Sequence, residues 1–226
     1  MDPHPLTRQK SFVLRGRHTQ AQARAINELW APWGVDFDGG VLNLSEIFGR
    51  EAPRSVEIGF GNGDTLVSLA RHHPERDYLG IEVHAAGVGR VLGVLAREGL
   101  TNVRVIRHDA VEVFESGLEP GAIDEILVLF PDPWPKARHH GRRLIRPDVV
   151  PLLSRALKPD GVFRLATDWE PYAQQMLSVL DAEGSLSNVA GVGNAVPRHS
   201  ERPLTRFENR GVGLGHAIVD LEYRRV

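Results

Sequence analysis

Five carboxylates stand at the ends of short apolar runs: Glu57 in "VEIGFGNG", Glu82 in "LGIEVH", Asp109 in "RHDA", Asp132 in "FPDPWPK" and Asp168 in "ATDWEP". Ionised acids only accept hydrogen bonds, so they suit hydroxyl, amino and cationic groups of a ligand. Gly59, Gly61 and Gly63 follow the first run and let a ligand approach the backbone closely. Pro131 and Pro133 enclose Asp132 and fix the backbone on either side of it. Cations come directly afterwards: Lys136, Arg138, Arg142, Arg143 and Arg146, with no acid among them. A near-neutral chain (formal charge −2) with this block, and a second one of Arg8, Lys10, Arg15, Arg17 and Arg24 against Asp2, points to a localised polyanion site.

The loop after the first run distinguishes two adenosine-bearing cofactors. Its glycines are spaced G-x-G-x-G, whereas a dinucleotide fingerprint needs G-x-G-x-x-G. Asp64 opens the following helix, where its charge opposes a pyrophosphate. Glu57 favours an ammonium and a sulfonium. Glu82, 23 residues after Gly59, is placed to accept from ribose hydroxyls, and Asp109 from an adenine amino group. These features favour S-adenosyl-L-methionine over NAD.

For those acids to meet, the runs before them must be parallel strands. Strands are expected at 55–58, 78–83, 103–107, 126–130, 162–166 and 217–223. Helices are expected near 64–72, 85–98, 148–157 and 170–183, the last stopping at Gly184. This alternation predicts an α/β fold, Rossmann-like, with a mostly parallel sheet flanked by helices and ligands at the C-terminal strand ends. Residues 1–50 read as a basic arm with a helical stretch ("TQAQARAINELW"), and residues 51–226 as the catalytic domain. With 226 residues and 42% hydrophobic content, one core is expected. No cysteine is present, which excludes disulfides, thiolate metal sites and cysteine nucleophiles. No apolar stretch reaches signal-peptide or membrane-spanning length, so a soluble, cytoplasmic protein is expected.

The stretches "KSFVLRGRHT", "VEIGFGNGDTL", "LGIEVH", "FPDPWPKARHHGRRL", "ATDWEPYA" and "RPLTRFENRG" occur in this order. In them the chain resembles the bacterial tRNA (guanine-N7)-methyltransferases of the TrmB type. That resemblance implies methyl transfer from S-adenosyl-L-methionine to N7 of the guanine at position 46 in the tRNA variable loop. It implies cofactor contacts at Glu57, Gly59, Glu82, Asp109 and Asp132, with Asp132 also catalytic. It further implies substrate contacts at Lys136, Asp168, Thr205, Arg206, Phe207 and Glu208, and RNA contacts from Arg138, His139, His140, Gly141, Arg142 and Arg143. Pro135 departs from the family, where some members carry His.

The residues agree with that chemistry. Guanine N7 carries an in-plane lone pair, so its methylation removes no proton and needs no general base. No metal site is expected, since the adjacent His139 and His140 point apart. His72 and His73 should close a helix, Trp30 and Trp33 pack the N-terminal segment, and Phe163 belong to the core. Phe207 suits core packing or base stacking equally. Two rivals remain: an RNA-binding protein on the same fold without catalysis, against which the full set of acids speaks, and an amine methyltransferase. The latter often carries Asn/Asp-Pro-Pro-aromatic where this chain has Pro-Asp-Pro-Trp.

Overall fold

The computed structural model describes residues 9–13, 18–200 and 202–226, with the side chains of Arg206 and Phe207 outside that description. Arg8, Arg15 and Arg17 of the N-terminal basic block also lie outside it.

The described residues form seven strands: β1 (Arg54–Ile58), β2 (Asp77–Ile81), β3 (Val103–Ile106), β4 (Ile123–Leu129), β5 (Leu157–Thr167), β6 (Leu186–Asn188) and β7 (Val219–Arg225). They make one sheet in the order β3-β2-β1-β4-β5-β7-β6. The first five run parallel, and β7 is antiparallel to both β5 and β6. Strand β2 is buried at every position, as expected of a parallel strand covered on both faces.

The helices are α1 (Gln20–Trp33), α2 (Leu44–Phe48), α3 (Asp64–His72), α4 (Ala85–Glu98), α5 (Ala110–Glu112), α6 (Val150–Ala156), α7 (Glu170–Asp181) and α8 (Arg206–Gly213). One apolar layer joins Leu66, Val91, Leu92 and Leu95 of α3 and α4 to Tyr78 and Val105 of the sheet. The opposite layer joins Phe114, Leu153, Tyr172 and Phe163, the last fully buried in the core. Helix α1 starts on a capping box between Thr19 and Gln22 and lies along α4. Trp30 and Trp33 pack against that layer, and Trp33 Nε1 donates to the Leu100 carbonyl at 2.7 Å. Val35 then donates to the Val105 carbonyl, so residues 20–35 are tied to the same sheet as residues 51–226.

Several elements depart from expectation: α2 and α5 were not among the expected helices, and β5 begins at Leu157, where a helix was expected. Helix α7 ends at Asp181, where its carboxylate accepts from Tyr223 Oη at 2.7 Å, three residues before Gly184. Strand β6 is three residues long and largely polar, too short for a periodic signal. Helix α8 has no apolar run to announce it. His72 does close α3, with Nδ1 donating to the Ser68 carbonyl at 2.7 Å. No helix among the described residues is long and apolar enough to cross a membrane.

Candidate active site

The parallel strands bring Glu57, Glu82, Asp109, Asp132 and Asp168 to one edge of the sheet, each at or just beyond a C-terminal strand end. Glu57 lies on β1, 4% exposed. Its Oε2 has no hydrogen-bond partner. Burial, then the charges of Asp64 and Glu82, push its carboxyl up to about 8, opposed by a hydrogen bond from the Leu66 backbone. Asp64 itself faces Arg90 at 3.4 Å, a partial counter-charge that spacing alone did not reveal. A buried orphan oxygen among neighbouring acids fits a cationic ligand group.

The glycines give that ligand room. Gly59 has φ 71°, and nothing lies within 4 Å of where a Cβ would stand. Gly63 has φ 77° and caps α3; a Cβ there would strike Val91 Cγ2 at 2.1 Å. The first opens a space and the second closes the turn that shapes it.

Glu82 makes bonds within the protein that its spacing did not reveal. Its Oε1 accepts from Val83 N at 2.7 Å and His84 N at 2.9 Å, and its Oε2 from Gly61 N at 2.9 Å. The carboxylate therefore builds the glycine loop, and the lone-pair capacity left on Oε2 can take a ribose hydroxyl. Asp109 caps α5 through Val111 N at 3.0 Å, and its other oxygen accepts from Lys10 Nζ at 2.7 Å. Lys10 also pairs with Glu112. A cavity of about 190 Å³ opens beside these residues.

Asp132 is exposed on a ledge whose ends are turned left-handed: φ is 52° at Phe130 and 43° at Trp134. Aromatic residues rarely adopt that region, so the surroundings must enforce it. Trp134 Nε1 donates to the Ser11 carbonyl at 3.1 Å, and the Arg142 guanidinium lies 4.8 Å over the Trp134 ring.

The basic segment divides in two. Lys136, Arg138, His140 and Gly141 are exposed, His139 stands edge-on to Trp134, and residues 137–142 form a 3-10 turn. Arg143, in contrast, is 2% exposed. It donates to the Pro133 carbonyl at 2.8 Å and to Gln175 Oε1, and it stacks over Tyr172 at 4.8 Å. Two of its donors are used inside the protein, which sets it apart from the exposed cations of this segment. Arg146, also 7% exposed, is held by Asp148 and by the Gln9 and Gly141 carbonyls.

Asp168 lies against Gly211 of α8, with His216 Nδ1 3.6 Å from its Oδ2. Thr205 is the N-cap of α8, its Oγ1 accepting from Glu208 N at 3.1 Å. Glu208 is 3% exposed, with Arg198 and Arg202 both donating to its carboxylate. Burial alone would raise its pKa, but Arg198 and Arg202 hold it below the ordinary value. The Thr-x-x-Glu spacing of a helix start was the signal available for α8. The side chains of Arg206 and Phe207 lie outside the described residues. A cavity of about 730 Å³ lies elsewhere, lined by Glu125, Leu127, Arg164 and Glu222 of the sheet, and none of the expected site residues lines it.

The strand order, the glycine loop after β1 and the acids after β2 and β3 define a Rossmann-like methyltransferase. Residues 51–221 match the family described as "Putative methyltransferase". A tRNA (guanine-N(7)-)-methyltransferase of Leifsonia xyli subsp. xyli is 65% identical over 99% of both chains. One of Xanthomonas campestris pv. campestris is 52% identical over 100% of this chain and 89% of its own. The chain belongs to the tRNA (guanine-N(7)-)-methyltransferase family. Its fold is shared with the 16S rRNA (adenine(1408)-N(1))-methyltransferase from Catenulisporales acidiphilia, at TM-score 0.57 and 19% identity over 85% of this chain and 93% of that one.

Proposed function

We propose that the protein methylates N7 of a guanine in tRNA, with S-adenosyl-L-methionine as donor, and that the target is position 46 of the variable loop. The observation that carries this reading is the shared edge: Glu57 with its orphan oxygen stands at one strand end and Asp132 with exposed cations beyond it at another. The bound cofactor supplies an electrophilic methyl on a sulfonium. Glu57 favours the cationic part of that ligand, and Glu82 fixes the loop around it. Asp132 and Asp168 accept from N1–H and the amino group of guanine, a donor pair that adenine does not present. They also stabilise the positive charge that develops on the ring. Lys136, Arg138 and Arg142 offer cations to RNA phosphates, a contact that positions without reading sequence. Catalysis then rests on placing N7 in line with the methyl group, without a general base. The substrate is a cytoplasmic tRNA, and its guanine must leave its stacked arrangement to reach the ledge.

Nucleoside mass spectrometry of tRNA incubated with the protein and S-adenosyl-L-methionine tests the reading. 7-Methylguanosine in the variable loop is expected. Methylation of another base, of protein amines, or of nothing would reject it.

A further inference from the structure

Arg202 is 5% exposed and reaches three elements at once. Its Nη1 donates to Glu208 Oε2 at 2.6 Å and its Nη2 to Glu208 Oε1 at 3.3 Å, a two-pronged grip on α8. The same Nη2 donates to Asp220 Oδ2 of β7 at 3.1 Å. The guanidinium carbon lies over the Phe130 ring, 5.4 Å from its centroid. Phe130 is the left-handed residue two positions before Asp132, and its own N–H donates to the Ala166 carbonyl of β5 at 2.7 Å. Arg198 seals the node from outside, donating to Glu208 and to the Arg202 carbonyl at 2.6 Å.

We infer that Arg202 is a positioning residue: it fixes Phe130 in its left-handed turn, and so aims Asp132, while locking α8 in register with that ledge. This rests on the proposed reaction. A left-handed aromatic persists only where its surroundings over-determine it, and here the backbone bond to Ala166 and the guanidinium over the ring do so. A planar fork with a π face can grip Glu208 and cover Phe130 together; an ammonium cannot. Glu208 then serves the reaction through this arginine, since both its oxygens are already engaged.

The test compares wild type with Arg202→Lys and Phe130→Leu. Wild-type formation of 7-methylguanosine establishes the reaction independently, so its absence would fault the proposed function and not this assignment. Arg202→Lys keeps the charge but loses the fork and the stack. Its kcat should fall by tenfold to about a hundredfold, the scale of a misplaced reactive group. Cofactor affinity should stay within about twofold, because Glu57 and Glu82 are untouched by the change. Phe130→Leu leaves every hydrogen bond of Arg202 in place and should lower kcat in the same way; it carries the test if Arg202→Lys does not fold. The double variant should be little worse than either single one, since both remove one coupling. Wild-type kcat in either folded single variant, or cofactor affinity falling in step with kcat, would overturn the assignment.

Discussion

Arg143 donates from Nε to the Pro133 carbonyl at 2.8 Å, a bond from the basic segment back to the residue after Asp132. With Arg202 against Phe130, it brackets the ledge by buried guanidinium groups on both sides. Arg143→Ala should therefore lower stability by about 2–3 kcal/mol, from a lost charged donor and lost packing. For a chain of this size that is a fall in Tm of roughly 4–12 °C. Arg138→Ala should leave Tm unchanged and reduce the salt slope of tRNA binding by about one. A salt slope altered by Arg143→Ala at constant Tm would return that residue to the RNA face.

Glu57 gives the protein a proton to lose. In the free protein its carboxyl is pushed up to about 8 by burial and by Asp64 and Glu82. At pH 6.5, where the cofactor's ammonium stays charged, binding of a cationic ligand should release close to one proton from Glu57. Calorimetry in buffers of different ionisation enthalpy measures that number, and Glu57→Gln should bring it to zero. No release by the wild type would mean that the cation does not face this acid.

The same acid sets a pH dependence of folding without ligand. Because its folded value lies above the unfolded one, its contribution is fully present below about 4.5 and is lost as pH rises through about 8. Glu57→Gln removes that loss. Its Tm should equal or trail the wild type at pH 5 and exceed it by several degrees at pH 8.5, equivalent to at least about 1 kcal/mol. A constant Tm difference across this range would contradict the assignment of the buried proton to Glu57.

Glu82→Ala should fail twice over. Gly61, Val83 and His84 would each lose an acceptor, so the glycine loop itself should loosen. Cofactor affinity should drop at least about tenfold, matching a loss of 1.5–3 kcal/mol for a charged acceptor, and Tm should drop with it. A variant with weakened binding and intact Tm would make Glu82 a ribose contact alone.

How much of this was legible follows from the kind of signal each residue leaves. Strand β2 carries a short, mostly apolar run and helices α3 and α4 carry 3.6-residue patterns, and their placement needs only local sequence. That the five acids gather along one edge was legible because each follows an apolar run, and parallel strands bring such ends together. The partners of those acids were not. Nothing near Lys10 in the chain announces Asp109, 99 residues away, and Arg143 reads like Arg142 until burial separates them. The left-handed turns at Phe130 and Trp134 were invisible for a related reason: neither is glycine, and tertiary contacts impose the conformation. Thr205 and Glu208 did leave a local mark, a helix-start spacing whose structural meaning was hidden behind their resemblance to substrate residues.

Asp132 stands exposed at the centre of that ledge, with Phe130 and Trp134 turned on either side and Pro133 held by Arg143. Its backbone is set before any ligand arrives, so its carboxylate can act as a preorganised charge beside the methylated ring. Asp132→Ala should lower kcat by roughly a hundredfold or more, on the scale of losing such a group. Tm should hardly change, because an exposed turn carboxylate contributes little to the core. Asp132→Asn separates charge from shape: the amide can still accept through its oxygen, so a loss near that of alanine assigns the effect to charge. The pH profile gives an independent reading. N7 yields no proton, so kcat at saturating cofactor should be flat near neutrality, while kcat/KM for the cofactor should rise toward pH 8 with Glu57. Normal methylation by Asp132→Ala would leave the ledge a structural role only and move the active centre elsewhere on the strand edge.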